Sequence, residues 1–154
     1  MVRLENGELV VTHEHGFVRT RLPEQGGECA VIRDYLQPAA GRNLFAAVPD
    51  LAGTGYWAGT GYGAELVHYA ADGERLSVWQ ADQGGKKNVC YAQLQELKNG
   101  HVFVCNWTGH GAQDSRKGWQ VIEFDKDGKV FWRLDSPDRY GSICGMDVLE
   151  APGM

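Results

Sequence analysis

Along most of the chain, apolar and polar residues alternate in short runs that end at a glycine, the pattern of a half-buried β-strand followed by a turn. The stretch "GWQVIEFDKDGKVFW", residues 118–132, shows it most clearly. Two strand-like runs flank Asp127-Gly128, and Asp-Gly between alternating apolar positions predicts a β-hairpin. Helical readings fail. Val102-Phe103-Val104 and Val121-Ile122-Glu123-Phe124 are β-branched or aromatic, and no segment keeps a 3.6-residue period for three turns.

The hairpin has a fainter copy upstream. At an offset of 55, "ELVHYAADGERLSVW" (residues 65–79) lies over "QVIEFDKDGKVFWRL" (residues 120–134), so Leu66, Val67, Tyr69 and Leu76 fall on Val121, Ile122, Phe124 and Phe131. At an offset of 46, "FAAVPDLAGTGYWAG" (residues 45–59) lies over "YAQLQELKNGHVFVC" (residues 91–105), and the nine-residue difference is one insertion around "GHGAQDSRK". At an offset of 93, "LENGELVVTHEHG" (residues 4–16) matches "LKNGHVFVCNWTG" (residues 97–109). Asn6-Gly7, Asp72-Gly73, Asn99-Gly100 and Asp127-Gly128 then hold equivalent turns, which their composition assigns to two-residue type I′ loops. A unit reads strand, turn, strand, loop, strand, turn, strand.

Four short antiparallel strands in a unit of 45 to 55 residues is the sequence form of a β-propeller blade, so the expected fold is all-β with about three blades. The first blade is placed at residues 1–41, the second at 42–86 and the third at 87–140. The first unit lacks its leading strand. Residues 141–152 supply a leading strand without a blade, because Ser142-Ile143-Cys144 repeats Asn88-Val89-Cys90 at an offset of 54. This terminal strand is therefore expected to complete the first blade. Closed propellers usually hold about four to eight blades, so an arc of three leaves apolar faces uncovered. Either two chains self-associate to close a six-bladed ring, or the chain is part of a longer protein.

Composition narrows the function. Twenty-one glycines in 154 residues, without a Gly-X-Y period, favour many tight turns and exclude collagen. A formal charge of −5 argues against a nucleic-acid partner, which would require clustered Lys and Arg. No apolar run approaches the roughly 20 residues of a membrane-spanning helix, so no membrane partner is expected. "MVRLENGELV" lacks the apolar core of a signal peptide, which makes the cytoplasm the default compartment, and the periplasm or exterior the alternative for a piece of a longer exported protein. Cys29, Cys90, Cys105 and Cys144 form no CxxC pair, and each lies in an apolar run, so all four read as buried free thiols.

"NGHVFVCNWTGHGAQDSRKGWQVIEFDKDGKVFWRLDSPDRYGSICGMDVLE" resembles the final blades of bacterial quinoprotein-like β-propellers, in which a "GxxhhEhDxDGKhhW" hairpin recurs and a short strand ends the chain. The similarity is good over residues 87–150 and weaker upstream, where Val78-Trp79 shifts the tryptophan by two places. The resemblance implies a fold. Catalytic quinoproteins hold their quinone with adjacent cysteines, and this chain has no Cys-Cys pair, so no cofactor is carried over.

Ligands on a propeller meet the face made by the loops between second and third strands and by the segments entering each innermost strand. Here these are "THEHGF", "GTGYGAE" and "NWTGHGAQDSRKG", with Asn43 and Lys86-Lys87-Asn88 as entry residues. The ligand-binding candidates are His13, Glu14, His15, Tyr62, Asn88, Trp107, His110 and Asp114. In an extended strand His13 and His15 point to one side and Glu14 to the other, which fits two imidazoles on one metal, with His110 as third ligand. Against this stands the plain reading of polar loop residues bonded to nearby backbone. Trp107, His110, Asp114 and Tyr62 would stack on a saccharide or other planar ligand and orient its hydroxyls, or Trp107 packs between blades. Trp79, Trp119 and Trp132 read as packing. Ser115 and Ser142 lack a G-x-S-x-G turn, and "GTGYGAE" is not a dinucleotide cradle, so no catalytic residue is assigned. The leading expectation is a non-catalytic binding or scaffold module that recognises a ligand or a protein through its loop face. The alternatives are a metal-assisted lyase or hydrolase acting on a saccharide, and a purely structural half-propeller.

Overall fold

The computed structural model describes residues 1–36 and 44–149, and these fold as three four-stranded antiparallel sheets. The first holds β1 (Val2–Arg3), β2 (Glu8–His13), β3 (Gly16–Arg21) and β4 (Ala30–Leu36). The second holds β5 (Ala46–Pro49), β6 (Gly55–Gly59), β7 (Leu66–Ala70) and β8 (Arg75–Trp79). The third holds β9 (Tyr91–Glu96), β10 (Val102–Asn106), β11 (Val121–Phe124) and β12 (Val130–Leu134). Strands adjacent in sequence are adjacent in every sheet, as an up-and-down blade requires. The described helical pieces are a 3₁₀ turn at Asp114–Arg116 and α1 (Pro137–Tyr140). The expected boundary at residues 41 and 42, and the entry residue Asn43, lie outside the described residues.

The Asn-Gly and Asp-Gly turns sit where the pattern places them, but with different geometry. Type I′ needs positive φ at both central residues, whereas only the glycines take it: +82° at Gly7, +93° at Gly73, +81° at Gly100 and +78° at Gly128. Each turn is a three-residue loop. Leu4 N–H bonds Glu8 O at 2.8 Å while Gly7 N–H bonds Leu4 O at 3.0 Å, and the same pair of bonds recurs at Ala70/Glu74, Leu97/His101 and Asp125/Lys129. A side-chain oxygen secures each loop by accepting a backbone N–H, as when Asn6 Oδ1 takes Glu8 N–H at 3.1 Å and Asn99 Oδ1 takes His101 N–H at 3.0 Å.

The core lies between blades. Val10, Phe17, Tyr35, Tyr56, Val67 and Tyr69 join the first blade to the second, with Phe17 and Tyr35 stacked at 4.3 Å. Trp57, Leu66, Tyr91, Val104, Ile122 and Phe124 join the second to the third. Trp79 packs against Trp57 and Phe124, and Trp119 is buried, as expected of blade residues. Trp132 differs, being 45% exposed on the last strand, because no described blade covers that side. Cys90 and Cys105 are buried, and burial pushes their thiols up to about 11 and about 12. Cys29 and Cys144 are exposed, contrary to the reading of all four as buried.

The first blade has a leading strand of its own, the two-residue β1, which pairs Val2 with Val10 and Arg3 with Leu9. The terminal segment, expected to complete that blade, instead runs beside β9. Gln93 holds both backbone groups of Met146, accepting its N–H at 3.1 Å and donating to its carbonyl at 2.7 Å. Gln95 does the same for Val148, at 2.8 and 3.0 Å.

Candidate functional site

Asn106 is the hub that shapes the loop face beside the third blade. Its side chain is fully buried at the end of β10 and meets four backbone groups. Oδ1 accepts from Val89 N–H at 2.8 Å and Cys90 N–H at 3.3 Å, while Nδ2 donates to Lys87 O at 3.1 Å and Trp119 O at 2.9 Å. Burial of so polar a group is tolerated only because every one of its bonds is made. Gln83 and Gln120 extend the framework. Gln83 Oε1 accepts Trp119 N–H at 2.7 Å, and Gln120 donates to Ser115 O at 2.7 Å while accepting Ser136 N–H at 2.8 Å. The long loop from Trp107 to Trp119 is thus anchored from beneath at both ends.

On this frame stands a row of aromatic rings crossing two blades. Gly61 and Tyr91 bridge the second blade's loop to β9, with N–H to carbonyl distances of 3.2 and 2.9 Å, which fixes Tyr62. Trp107 N–H bonds the neighbouring Cys90 O at 2.8 Å, which fixes Trp107. Their rings lie 6.2 Å apart. Phe45 approaches Tyr62 edge-on at 6.0 Å, and His110 approaches Trp107 at 4.8 Å. Phe45 is 47% and Tyr62 58% exposed, so the row presents ring surface to solvent while its backbone is held. Beside Phe45, an open recess of about 380 Å³ is lined by Thr12, His13, Glu14, Leu44 and Phe45.

Of the residues singled out from the sequence, Tyr62, Trp107 and His110 come together in this row, and His13 and Glu14 line the adjoining recess. His15 is exposed beside His13, with ring centres 6.5 Å apart. Glu14 and His15 form the two-residue turn closed by the His13–Gly16 pair, so the alternation of an extended strand does not apply to them. His13 is occupied on both nitrogens: Nδ1 accepts His15 N–H at 3.2 Å and Nε2 meets Asp34 Oδ1 at 3.0 Å. That geometry assigns the proton to Nε2 and spends the lone pair a metal would need. Among the described residues, no three His, Cys, Asp or Glu side chains are grouped to hold a metal ion, and His110 sits with Trp107 rather than with His13 and His15.

Asn88 and Asp114 are committed internally. Asn88 Nδ2 donates to Ala81 O at 2.6 Å, and its Oδ1 accepts from the Tyr91 hydroxyl at 3.0 Å and from Gln83. It braces the entry to β9. Asp114 accepts Gly111 N–H at 2.8 Å and pairs with Lys117 at 2.6 Å; the Lys117 bond, followed by the Gly111 N–H, holds its carboxyl below the usual range. It shapes the loop around Gly109, whose φ is +128° and whose missing side chain leaves room for the Asp114 carboxylate. Phe45 and the buried amides went unrecognised in the sequence. Phe45 reads there as a strand residue, and a buried amide has the same letter as an exposed one.

No protein-family model matches the chain, and no curated protein sequence does. Solved structures do. A protein of unknown function from Bacteroides caccae superposes with a TM-score of 0.71 at 21% identity, over 93% of this chain and 51% of that one. Streptogramin B lyase superposes with a TM-score of 0.63 at 14% identity, over 88% of this chain and 39% of the lyase. The chain therefore spans about half of the first and a smaller share of the second. What these similarities establish is the fold: three four-stranded blades of β-propeller type.

Proposed function

We propose that this chain is a propeller-type binding module without chemistry of its own, and that it recognises a saccharide through the aromatic row on its loop face. The observation that carries this reading is the continuous sequence of contacts from Phe45 through Tyr62 and Trp107 to His110, with Phe45 N–H bonded to Gly59 O, Gly61 bridged to Tyr91 and Trp107 N–H bonded to Cys90 O. Phe45 and Tyr62 are exposed and Trp107 half-buried, and because each ring is steeply inclined to the next, each offers its own apolar face to the C–H face of a sugar, at little entropic cost where the backbone is held. Glu14, His15 and His110, all exposed at the margins, supply polar groups for hydroxyls. The narrower affiliation with quinoprotein-like blades belongs to this proposal and brings no activity with it.

A metal-assisted lyase or hydrolase is the weaker alternative. The lone pair of His13 is used within the loop, and the lyase named above shares only 14% identity with this chain. The test is titration with a panel of mono- and oligosaccharides, followed by tryptophan fluorescence. Binding should quench or shift the signal, and Trp107→Ala should weaken it about tenfold or more, the scale of one lost aromatic contact. Unchanged affinity in both Trp107→Ala and Tyr62→Ala would remove this site from consideration.

A further inference from the structure

Between the second and third blades lies an open recess of about 460 Å³, lined by Asp82, Gln83, Gly84, Lys86, Trp119 and Arg133. Its floor is fixed. Gln83 is buried, its Oε1 accepts Trp119 N–H at 2.7 Å and its amide donates to Asn88, so the segment that follows β8 is tied to the end of the long loop. Arg133 enters from β12 on the side facing the second blade, because it is paired across the sheet with Ile122, a residue of the core between those blades. The recess shares no residue with the aromatic row.

Three charged residues line the recess, and Lys86 alone has its charge met. Its Nζ bonds both oxygens of Asp135, at 2.5 and 2.7 Å. Arg133 Cζ lies 4.4 Å from the centre of the Trp119 ring, and Trp119 is itself only 8% exposed. This cation–π contact positions the guanidinium against a fixed wall without cancelling its charge. Among the described residues the guanidinium donates to no acceptor and pairs with no carboxylate. Asp82 is its counterpart on the opposite sign. Its Oδ1 accepts Gly84 N–H at 3.0 Å, which orients the carboxylate, and among the described residues no cation meets it. The recess thus presents one unbalanced charge of each sign, and the two do not pair with each other.

We propose that this recess binds a zwitterion, a free α-amino acid, whose carboxylate takes the guanidinium of Arg133 and whose ammonium meets the carboxylate of Asp82. A guanidinium offers a carboxylate two parallel N–H donors, a planar match that gives direction as well as strength. Charge complementarity selects the rest. A simple anion is drawn to Arg133 and repelled by Asp82, a simple cation meets the reverse, and a molecule carrying both charges on neighbouring atoms gains from both. Lys86, held by Asp135, is left as a polar wall for the side chain of the ligand. The proposal stands apart from the saccharide reading, since the two sites have no residue in common.

Calorimetric titration of the full chain with each of the common L-amino acids, up to about 10 mM, tests this. At least one should bind, and its analogues lacking the amino group or the carboxylate should bind about tenfold or more weakly. Arg133→Gln and Asp82→Asn should each weaken the same amino acid about tenfold or more, with urea midpoints unchanged. Both are mild changes to the fold, because Arg133 is exposed and asparagine keeps an oxygen for Gly84 N–H. Absence of binding by every amino acid, an analogue that binds as tightly as its parent, or unchanged affinity in either variant overturns the proposal.

Discussion

The indole of Trp79 lies directly over Gly128, so that a side chain begun at Gly128 would start 2.5 Å from Trp79 Cδ1. The turn of one blade thereby seats the last strand of the blade before it. A related contact joins the first two blades, where Tyr35 donates its hydroxyl to Ala71 O at 2.9 Å and its ring lies 3.5 Å from the corresponding place at Gly73. These turns set the spacing between blades as well as reversing the chain.

Gly128→Ala should therefore destabilise the protein by about 2 to 4 kcal/mol, combining a left-handed backbone with a clash in the interblade core. Gly100→Ala is the control. It shares the left-handed backbone, but its nearest neighbour would be Lys126 Cβ at 3.7 Å, so a cost of about 1 to 2 kcal/mol is expected. Urea denaturation of the two variants gives the comparison, and equal losses would show that Trp79 does not constrain the turn.

Asn106→Ala strands two backbone N–H groups and two carbonyls beneath the loop face. A loss of about 2 to 4 kcal/mol follows from leaving buried partners unsatisfied. Chemical denaturation measures that loss, and hydrogen exchange at Val89 and Cys90 should accelerate in the same variant.

Acid should weaken the fold through its depressed carboxylates, Asp50 and Glu8 among them. Burial acts to raise the Asp50 carboxyl, but hydrogen bonds from His68, from Thr54 N–H and from Gly55 N–H outweigh it and hold it below 3.8. The Arg21 hydrogen bond chiefly holds Glu8 below 4.5. A carboxyl depressed in the folded state contributes stability that is present above its unfolded value and lost as pH falls through the folded one. Unfolding free energy should stay level down to about pH 4.5 and decline below it, with a shallower decline in Asp50→Asn. Denaturation midpoints between pH 7 and pH 2.5 check the sign.

Tyr62→Ala should separate binding from folding. The ring is 58% exposed and its backbone is held through Gly61, so stability should change by less than about 1 kcal/mol while saccharide affinity drops about tenfold. Asn88→Ala should do the reverse, costing stability through Ala81, Tyr91 and Gln83 and touching no ligand. Paired thermal melts and titrations distinguish the two.

Much of this molecule is legible in its sequence because strand alternation and Asn-Gly or Asp-Gly turns are local signals. The hairpins at Asn6, Asp72, Asn99 and Asp127 could be placed by spacing, even though their loops turned out one residue longer than the type assigned to them. The loops that bring Tyr62, Trp107 and His110 together follow from the same spacing, since equivalent loops of neighbouring blades emerge on one face.

Partnership was not legible. His13 and Asp114 look like ligands as letters, and their hydrogen bonds to His15 and Lys117 show them occupied. Asn106 and Gln120 look like surface amides and are the buried supports of the loop. The sequence by itself determined most of the strands, the positions of the turns and the number of blades, because each depends on residues a few positions apart, while the short β1 and the length of the turn loops escaped it. Only the tertiary structure decided which polar groups were already satisfied, which rings were left facing solvent, and on which side of β9 the terminal segment lies. Those depend on residues that packing brings together from distant parts of the chain, such as Gln93 with Met146.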